Sequence, residues 1–182
     1  AADDALEIRR EQDHFVQEWM ENIGEGVPGY VTPKVAVGAI VGNDHGEILL
    51  MKRADSGIWL YPTGWADVGY SPAEVAMKEV EEETGITAEP LQLLGVVDGM
   101  RMGFSRFGMY MLLFHLRATG GELNGHPLET GDVGWFAPDA LPTPTAGAQW
   151  WGDMAFAAIA GDVRPATFDA PRENLWRGDA TD

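Results

Sequence analysis

The sequence predicts an α+β domain in which a mixed β-sheet surrounds one central helix, with further helices towards both ends of the chain. Three observations predict it. Short apolar segments bounded by Gly, Pro or Asn recur between residues 34 and 142, as is typical of strands. One capped helix interrupts them at about 72–84, and segments with helical periodicity occur at 6–23 and 147–161. Elements of both kinds in this order favour a layered α+β fold.

The composition is that of a globular domain. The chain has 182 residues, of which 45% are apolar and 23% charged, so it can bury a core. It contains no cysteine, which excludes disulfides, thiolate metal sites and cysteine nucleophiles. Its apolar runs are too short to cross a bilayer, and its acidic N-terminal segment lacks the apolar core of a secretory signal. We therefore expect a cytoplasmic protein without a membrane partner.

The net charge of −17 comes from 29 acidic and 12 basic residues. Such a surface repels phosphate backbones, so we expect no nucleic-acid partner. A small polyphosphate substrate remains compatible with this charge if metal ions screen the local acids. The alternative is that the acidic residues form a well-hydrated surface and have no role in binding a ligand.

The N-terminal segment predicts a separate helix over residues 6–23. Phe15, Trp19 and Met20 fall largely on one face of it, and the Gly- and Pro-containing stretch 24–33 ends it. The same face is suited to a contact between two copies of the chain, so a homodimer is one expectation, and a role as an interaction protein is another.

The chain divides into an N-terminal helix and linker (1–28), a domain (29–160) and a C-terminal tail (161–182) expected to wrap the surface or be mobile. Within the domain, a hairpin turn over "NDHG" joins the first two predicted strands. The predicted strands are "KVAVGAIVG" (34–42), "EILLMKR" (47–53), a short one in "GIWLYPTG" (57–64), "LQLLGVVDGM" (91–100), "GMYMLLFHLRAT" (108–119) and, as the last, one in "VGWFAPDALP" (133–142).

The central helix has clear start and stop signals. Ser71 is placed to cap it, Pro72 suits the first helical position, and Glu74 completes a capping box. Gly85 is the matching stop signal. We therefore expect a helix from about 72 to 84.

Acidic residues are concentrated on one flank of this helix. At about 100° per residue, Glu79, Glu82 and Glu83 group together, whereas Glu74 and Glu81 point towards solvent. The adjoining predicted apolar face consists of Ala73, Ala76, Met77, Val80 and Thr84. Like charges at this spacing, near the negative end of the helix dipole, are unfavourable unless a cation binds among them. Oxygen ligands without Cys or His suit Mg²⁺, or alternatively Mn²⁺. The other interpretation is a solvated acidic helix face.

Residues 64–86, "GWADVGYSPAEVAMKEVEEETGI", resemble the Nudix box, G-x5-E-x7-R-E-U-x-E-E-x-G-U, where U is a bulky aliphatic residue. Seven of its nine fixed positions match. The two departures are Tyr70 in place of Glu and Lys78 in place of Arg. In the family these two residues carry opposite charges and hold the loop to the helix, so we expect a Tyr70 hydroxyl facing Lys78 to be a weaker substitute.

The resemblance extends over roughly residues 29–142, and "GWADVGYSPAE" is similar to the branch with bacterial CDP-choline and ADP-ribose pyrophosphatases. It implies an α/β/α sandwich and Mg²⁺-dependent hydrolysis of a nucleoside diphosphate linked to another group. It also implies that the catalytic residues are Glu79, Glu82, Glu83 and Lys78. Of these, Glu79 and Glu83 would bind metal, and Glu82 would bind metal or act as the base.

Family members often add a carboxylate from a loop before the last strand. Glu129 and Asp132 are the candidates, and we expect Glu129 to be the fourth metal ligand. The alternative is that both acids face solvent.

Four residues are expected to bind substrate. Gly64 opens the Gly-containing loop, and Arg101 and Arg106 flank Phe104 in "DGMRMGFSRFGMY", where Arg can clamp phosphate oxygens and an aromatic ring can stack on a base. Ordinary strand-connecting packing is the alternative for this loop. Trp150 and Trp151 are interpreted as helix core, and the four scattered histidines show no ligand spacing.

The favoured function is hydrolysis of ADP-ribose or a CDP-alcohol. The alternatives are hydrolysis of nucleoside triphosphates and a non-catalytic module that binds a nucleotide, which the changes at Tyr70 and Lys78 keep open.

Overall fold

The computed structural model describes residues 32–171 of the chain. The predicted N-terminal helix, its dimer contact and the last eleven residues lie outside this part, so those expectations and the domain boundaries stay predictions. The elements are β1 Lys34–Gly42, β2 Ile48–Arg53, β3 Trp59–Leu60, β4 Thr63–Trp65, α1 Pro72–Thr84, β5 Ile86–Asp98, β6 Met109–Gly121, β7 Thr130–Phe136, α2 Ala148–Ile159 and β8 Thr167–Phe168.

The strands form one mixed sheet in the order β3-β2-β1-β6-β5-β8, with β4 pairing β1 and β7 pairing β2. The β1–β6 and β5–β8 pairs are parallel and the others antiparallel. The predicted hairpin between β1 and β2 is confirmed, with Gly42 opposite Ile48.

The two described helices cover opposite faces of the sheet because alternate residues of a strand point to opposite sides. On β1, Val37, Ala39 and Val41 pack in the core cluster that contains α1. Ile40, between them, packs in the cluster that contains Trp151 of α2. The predicted α+β fold with an α/β/α sandwich is therefore confirmed.

The predicted ends of the central helix are confirmed. The Ser71 side chain accepts from the Glu74 N–H, the Glu74 carboxylate accepts from the Ser71 N–H, and Gly85 has a left-handed φ of 74°. The predicted apolar face is partly wrong: Met77 is exposed, whereas Val75 is fully buried. The helix is rotated towards its acidic flank, so that Glu83 is among its buried residues.

The strand predicted within 133–142 is confirmed, but the prediction that it is the last strand is wrong. The strand β7 begins at Thr130, and β8 follows it in the segment expected to be a tail, where Thr167 and Phe168 pair with Gly95 and Val96 of β5. Two residues are too short a strand to show a periodic pattern in the sequence. In the described residues, no helix is long and apolar enough to span a membrane.

Candidate active site

A cleft of about 500 Å³ lies where α1, β4, the end of β2 and the loop before β7 meet. The end of β2 brings Arg53 to it, β4 brings Thr63, Gly64 and Trp65, and the loop before β7 brings Glu129. Seven of its twelve lining residues are charged. The charged residues are Arg53, Asp55, Asp67, Lys78, Glu79, Glu83 and Glu129. A cleft of this size with so many convergent charges suits a small, highly charged ligand.

Glu83 is the most deeply buried carboxylate in this cleft, with a relative exposure of 6%. One carboxylate oxygen, Oε2, accepts a hydrogen bond from the Thr63 N–H at 2.9 Å. Burial raises the pKa of Glu83 to about 7. The Thr63 hydrogen bond opposes that shift, the charges of Glu79 and Glu129 add to it, and the charge of Arg53 opposes it. A carboxyl group with such a pKa can exchange a proton near neutral pH.

Glu79 lies directly against the backbone of Gly64. A β-carbon placed on Gly64 would come within 2.2–2.5 Å of the three carboxyl atoms of Glu79, so no larger residue fits without moving that group. Burial raises the pKa of Glu79, the charge of Lys78 lowers it, and the charges of Glu82 and Asp67 raise it further. The predicted substrate-binding residue Gly64 thus provides the space that the Glu79 carboxylate occupies.

Lys78 connects the helix to the loop that precedes it. Its Nζ lies 3.1 Å from Asp67 Oδ2, 3.4 Å from Glu82 Oε2 and 3.7 Å from Glu79 Oε1. Burial lowers the pKa of Lys78, but the hydrogen bond to Asp67 and the neighbouring acidic charges outweigh it, so the pKa is raised. Lys78 therefore stays protonated in the cleft.

The expectation that Tyr70 faces Lys78 is wrong. Tyr70 is 43% exposed, and its backbone N–H donates to the Asp67 carbonyl in a turn. The Asp67 carboxylate, three positions earlier, is the loop group that pairs with Lys78. The turn over 67–70 brings Asp67 rather than residue 70 towards the helix.

Of the two candidate acids Glu129 and Asp132, only Glu129 lies in the cleft. Glu129 lines the cleft, and its charge raises the pKa of both Glu79 and Glu83. Asp132 is exposed, outside the cleft, and its Oδ1 accepts from the Val133 N–H. The position of Glu129 agrees with its predicted role, whereas that of Asp132 does not suit the same role.

The family assignment now follows from the sequence comparison. The model of the NUDIX domain family matches residues 32–155, which is well over half of the chain. The chain belongs to the Nudix family.

Two curated relatives of this Nudix protein come from Bacillus subtilis (strain 168). It is 32% identical over 127 residues to "Putative ADP-ribose pyrophosphatase YjhB", a match that covers 69% of this chain and 60% of the relative. It is 36% identical over 103 residues to "Putative 8-oxo-dGTP diphosphatase", a match that covers 57% of this chain and 66% of the relative. The matched part thus spans less than two thirds of either relative.

Solved Nudix structures share the fold. A UDP-X diphosphatase superposes with a TM-score of 0.70 and 28% identity, covering 84% of this chain and 75% of that one. An ADP-ribose pyrophosphatase from Streptococcus suis 89-1591 superposes with a TM-score of 0.64 and 27% identity, and the match covers 76% of this chain and 100% of that one.

Not all predicted Nudix site residues meet in the cleft. Glu82 has a side chain that is 55% exposed and does not line the cleft, although it contacts Lys78 there. Arg101 donates from Nη2 to the Ala170 carbonyl at 2.7 Å and lies near β8, outside the cleft. Arg106 is exposed and does not line the cleft either. The backbone N–H groups of Met100 and Arg101 donate to the Asp98 carboxylate, which stabilises that turn.

Phe104, the fourth predicted substrate-binding residue, lines a second cavity next to the cleft. Thr63 lines both spaces and connects them.

Sequence reasoning missed several residues of the cleft, including Asp67, Arg53 and Trp65. Arg53 lines it while its Nε and Nη2 contact the Asp55 carboxylate at 2.9 and 2.5 Å. Trp65 also lines it, with its ring 5.9 Å from that of Phe107 and 5.3 Å from Lys34 Nζ. The places of Arg53 and Trp65 in the sequence could have indicated their role. Arg53 ends a predicted strand, and Trp65 directly follows the first glycine of the box.

The donor set fits a hard divalent cation. The acidic groups of the cleft offer only carboxylate oxygens, which Mg²⁺ and Mn²⁺ prefer. Within residues 32–171, no three acidic or histidine side chains are already close enough to hold an ion. Glu79, Glu83 and Glu129 would therefore have to move closer together around one.

Proposed function

We propose that this Nudix protein hydrolyses the pyrophosphate bond of a nucleoside diphosphate derivative in the presence of Mg²⁺, with Mn²⁺ as the alternative ion. The observation that carries this proposal is the combination of Glu79, Glu83 and Glu129 with the cations Lys78 and Arg53 in one cleft. Carboxylates provide metal ligands and a base, and cations contact phosphate oxygens.

Glu79, Glu83 and Glu129 would hold the metal, with Glu82 at the rim as a further ligand. A bound divalent ion would neutralise the diphosphate and lower the pKa of a water molecule. Lys78 and Arg53 would orient the phosphate oxygens, Lys78 as a point charge and Arg53 through its planar guanidinium. Arg53 is held by Asp55 and can exchange that carboxylate for a phosphate of the same charge sign.

Proton transfer from the attacking water is assigned to a glutamate of α1. Glu83 is the best candidate for the general base because it is the most deeply buried carboxylate of the cleft and lies beside the other proposed ligands. Its hydrogen bond with the Thr63 N–H fixes one carboxylate oxygen and leaves the other for the reaction or for the metal. The role proposed for Glu82 is metal binding rather than proton transfer, because its carboxylate is exposed.

ADP-ribose and CDP-alcohols are the proposed substrates. The names of the Bacillus subtilis and Streptococcus suis relatives support ADP-ribose, and the UDP-X diphosphatase supports a nucleoside diphosphate joined to another group. Hydrolysis of an oxidised nucleoside triphosphate is the second candidate, because the other Bacillus relative is named for 8-oxo-dGTP.

The test is incubation of the full chain with ADP-ribose, CDP-choline and 8-oxo-dGTP in H₂¹⁸O, with Mg²⁺ or with EDTA, followed by mass analysis of the products. We expect Mg²⁺-dependent release of a nucleoside monophosphate and a phosphorylated partner group, with ¹⁸O in only one of them. Pyrophosphate release from 8-oxo-dGTP alone would favour the second candidate.

The matched variants are Glu83→Gln and Glu81→Gln, which remove one carboxylate each from the same helix. Glu83 lines the cleft, whereas Glu81 is exposed. We expect Glu83→Gln to lower kcat by about 100-fold or more and Glu81→Gln to leave it unchanged. Tight nucleotide binding without turnover of any compound would instead identify a non-catalytic binding module.

A further inference from the structure

The loop before β7, which brings Glu129 to the cleft, is bonded to the C-terminal end of α1. The N–H groups of Asn124 and His126 donate to the carbonyls of Thr84 and Glu83, at 2.8 and 3.3 Å. The last carbonyl groups of a helix have no partner within the helix, so the loop supplies partners that α1 itself cannot. The loop is thereby held against the helix that carries the other proposed metal ligands.

Thr130, the first residue of β7, adds a side-chain bond to this contact. Its hydroxyl donates to the Glu83 carbonyl at 3.0 Å, and the residue is only 9% exposed. A hydrogen bond away from water is electrostatically stronger than one at the surface. Because Thr130 directly follows Glu129, this bond ties the backbone next to one proposed metal ligand to the backbone of another.

The Thr130 side chain is held in one orientation by Gly125. A β-carbon on Gly125 would come within 2.8 Å of Thr130 Cγ2 and 3.1 Å of Thr130 Cβ, so the Thr130 methyl group packs directly against the glycine. The Thr130 N–H also donates to the His126 carbonyl at 2.9 Å. With its methyl group and its backbone both fixed, the side chain directs its hydroxyl to the Glu83 carbonyl.

The end of β2 fixes the backbone of Glu129 from the other side. The Glu129 carbonyl accepts from the Ala54 N–H at 2.9 Å, and Ala54 directly follows Arg53. The Glu129 N–H donates to the His126 carbonyl at 3.3 Å. Around an ion, the Glu129 carboxylate would therefore approach Glu83 by rotation of its side chain about a backbone that is already in place.

We propose that Thr130 is a positioning residue whose hydroxyl sets the place of Glu129 relative to Glu83, and thereby the affinity of the cleft for a divalent ion. Thr130 does not itself line the cleft. The proposal rests on the proposed function, because it takes Glu83 and Glu129 as metal ligands. Loss of a residue that orients a metal ligand typically weakens metal binding by about 10- to 100-fold.

The test is binding of Mn²⁺ to the full chain without substrate, followed by the decrease in the EPR signal of free Mn²⁺. Thr130→Val keeps the methyl group against Gly125 and removes the hydroxyl, whereas Thr130→Ser keeps the hydroxyl and removes the methyl group. We expect Thr130→Val to raise the Kd for Mn²⁺ by about tenfold or more, and Thr130→Ser by no more than about twofold. Equal Kd values for the two variants would overturn the proposal.

Thr84→Val is the matched control. The Thr84 side chain is fully buried next to Glu83, and its hydroxyl donates to the Val80 carbonyl within α1 rather than to a group of the loop. Both valine variants should lower the midpoint of chemical denaturation, but only Thr130→Val should weaken Mn²⁺ binding. The same loss of Mn²⁺ affinity in Thr84→Val would identify reduced stability as the cause and overturn the proposal.

Thr130→Val is expected to fold, because the Glu83 carbonyl keeps the His126 N–H as a partner. If it does not, Thr130→Ala takes its place, since alanine and serine at position 130 differ only by the hydroxyl. The Kd for Mn²⁺ should then be about tenfold or more higher in Thr130→Ala than in Thr130→Ser, and equal values would again contradict the positioning role.

A double-mutant cycle shows whether Thr130 acts through Glu129. In Glu129→Gln, which lacks the carboxylate, Thr130→Val should cause no further loss of Mn²⁺ affinity, because the group that Thr130 positions is absent. An undiminished loss in that background would mean that Thr130 does not act through Glu129.

The two proposals fail differently. If the protein hydrolyses ADP-ribose but Thr130→Val leaves the Kd for Mn²⁺ unchanged, only the role of Thr130 is wrong. If Thr130→Val weakens Mn²⁺ binding but no diphosphate compound is hydrolysed, the positioning role is right and the proposed hydrolysis is wrong.

Discussion

Lys78 Nζ lies 3.1 Å from the carboxylate of Asp67, and this contact joins the loop that precedes α1 to the helix. The box of the family has Arg at position 78 and Glu at position 70, whereas this chain has Lys and Tyr there. Asp67 supplies the acidic partner from the same turn. The loop and the helix are therefore still joined by a charged pair, although its acidic member is Asp67 and not the residue at position 70.

The first prediction concerns the strength of this pair. The side chains of Lys78 and Asp67 are only 29% and 21% exposed, so water screens their attraction less than at an open surface. A double-mutant cycle with Lys78→Met and Asp67→Asn should give a coupling free energy of about 1 kcal/mol in chemical denaturation. The exposed pair of Arg164 and Asp162 is the control and should give a value near zero.

Tyr70→Glu provides the complementary test. Because Lys78 already has an acidic partner, we expect this change alone to alter kcat and the free energy of unfolding only slightly. A several-fold increase in kcat would mean that Asp67 does not replace the family glutamate.

The sequence identified the residues that α1 brings to this cleft because helix signals and box spacing are local. The helix bounds followed from Ser71, Pro72 and Gly85, and the positions of Glu79 and Glu83 followed from helical geometry. Asp67 and Arg53 could not be found in that way, since their contacts depend on the path of a turn and on where a strand ends.

The rotation of α1 could not be read from the sequence either. The helical spacing of about 100° per residue predicted that Met77 lies on the buried face. In the structure Val75 is buried against the sheet instead, and Glu83 points inwards. A capping box fixes where a helix begins, whereas the rotation of the helix is set by the surface against which it packs.

The second prediction tests the contact between Gly64 and Glu79. In Gly64→Ala the new methyl group would overlap the Glu79 carboxylate, which is the end of a flexible side chain and can move away. We therefore expect kcat to fall by about 100-fold, because the carboxylate is misplaced, while the free energy of unfolding changes by no more than about 1 kcal/mol.

Gly108→Ala is the control for that change, since a β-carbon there meets only ordinary contacts, at 3.8 Å from Pro33. Its kcat should equal that of the unaltered protein. Full activity in Gly64→Ala would show that the position of Glu79 against the glycine is not needed for hydrolysis.

The third prediction distinguishes two nearby acids. Glu129 lines the cleft and Asp132 does not, so only the first can contribute to metal binding there. We expect Glu129→Gln to raise the Mg²⁺ concentration for half-maximal activity by about tenfold or more, and Asp132→Asn to leave it unchanged. The measurement is kcat as a function of Mg²⁺ concentration. The reverse pattern would identify Asp132, and not Glu129, as the fourth metal ligand.

The fourth prediction concerns stability and pH in the absence of metal. Burial raises the pKa of Glu83 from 4.5 to about 7, so the folded protein holds this proton more tightly than the unfolded chain does. Between these two values the folded state binds more protons, and the free energy of unfolding therefore falls as pH rises. The contribution of Glu83 to this fall is up to about 3 kcal/mol and is complete above its folded pKa. Burial raises the pKa of Glu79 as well, so that residue adds to the same slope.

Glu83→Gln removes the titrating group while its amide oxygen can still accept from the Thr63 N–H. In EDTA, chemical denaturation from about pH 5 to about pH 8 should give a clearly smaller slope for Glu83→Gln than for the unaltered protein, with the remainder due in part to Glu79. Above pH 7 the variant should be the more stable of the two, because no charge is then buried at position 83. Exposed Glu81→Gln should reproduce the unaltered slope. Equal slopes for Glu83→Gln and the unaltered protein would mean that Glu83 titrates as an ordinary carboxylate in the metal-free protein, and that its burial does not raise its pKa.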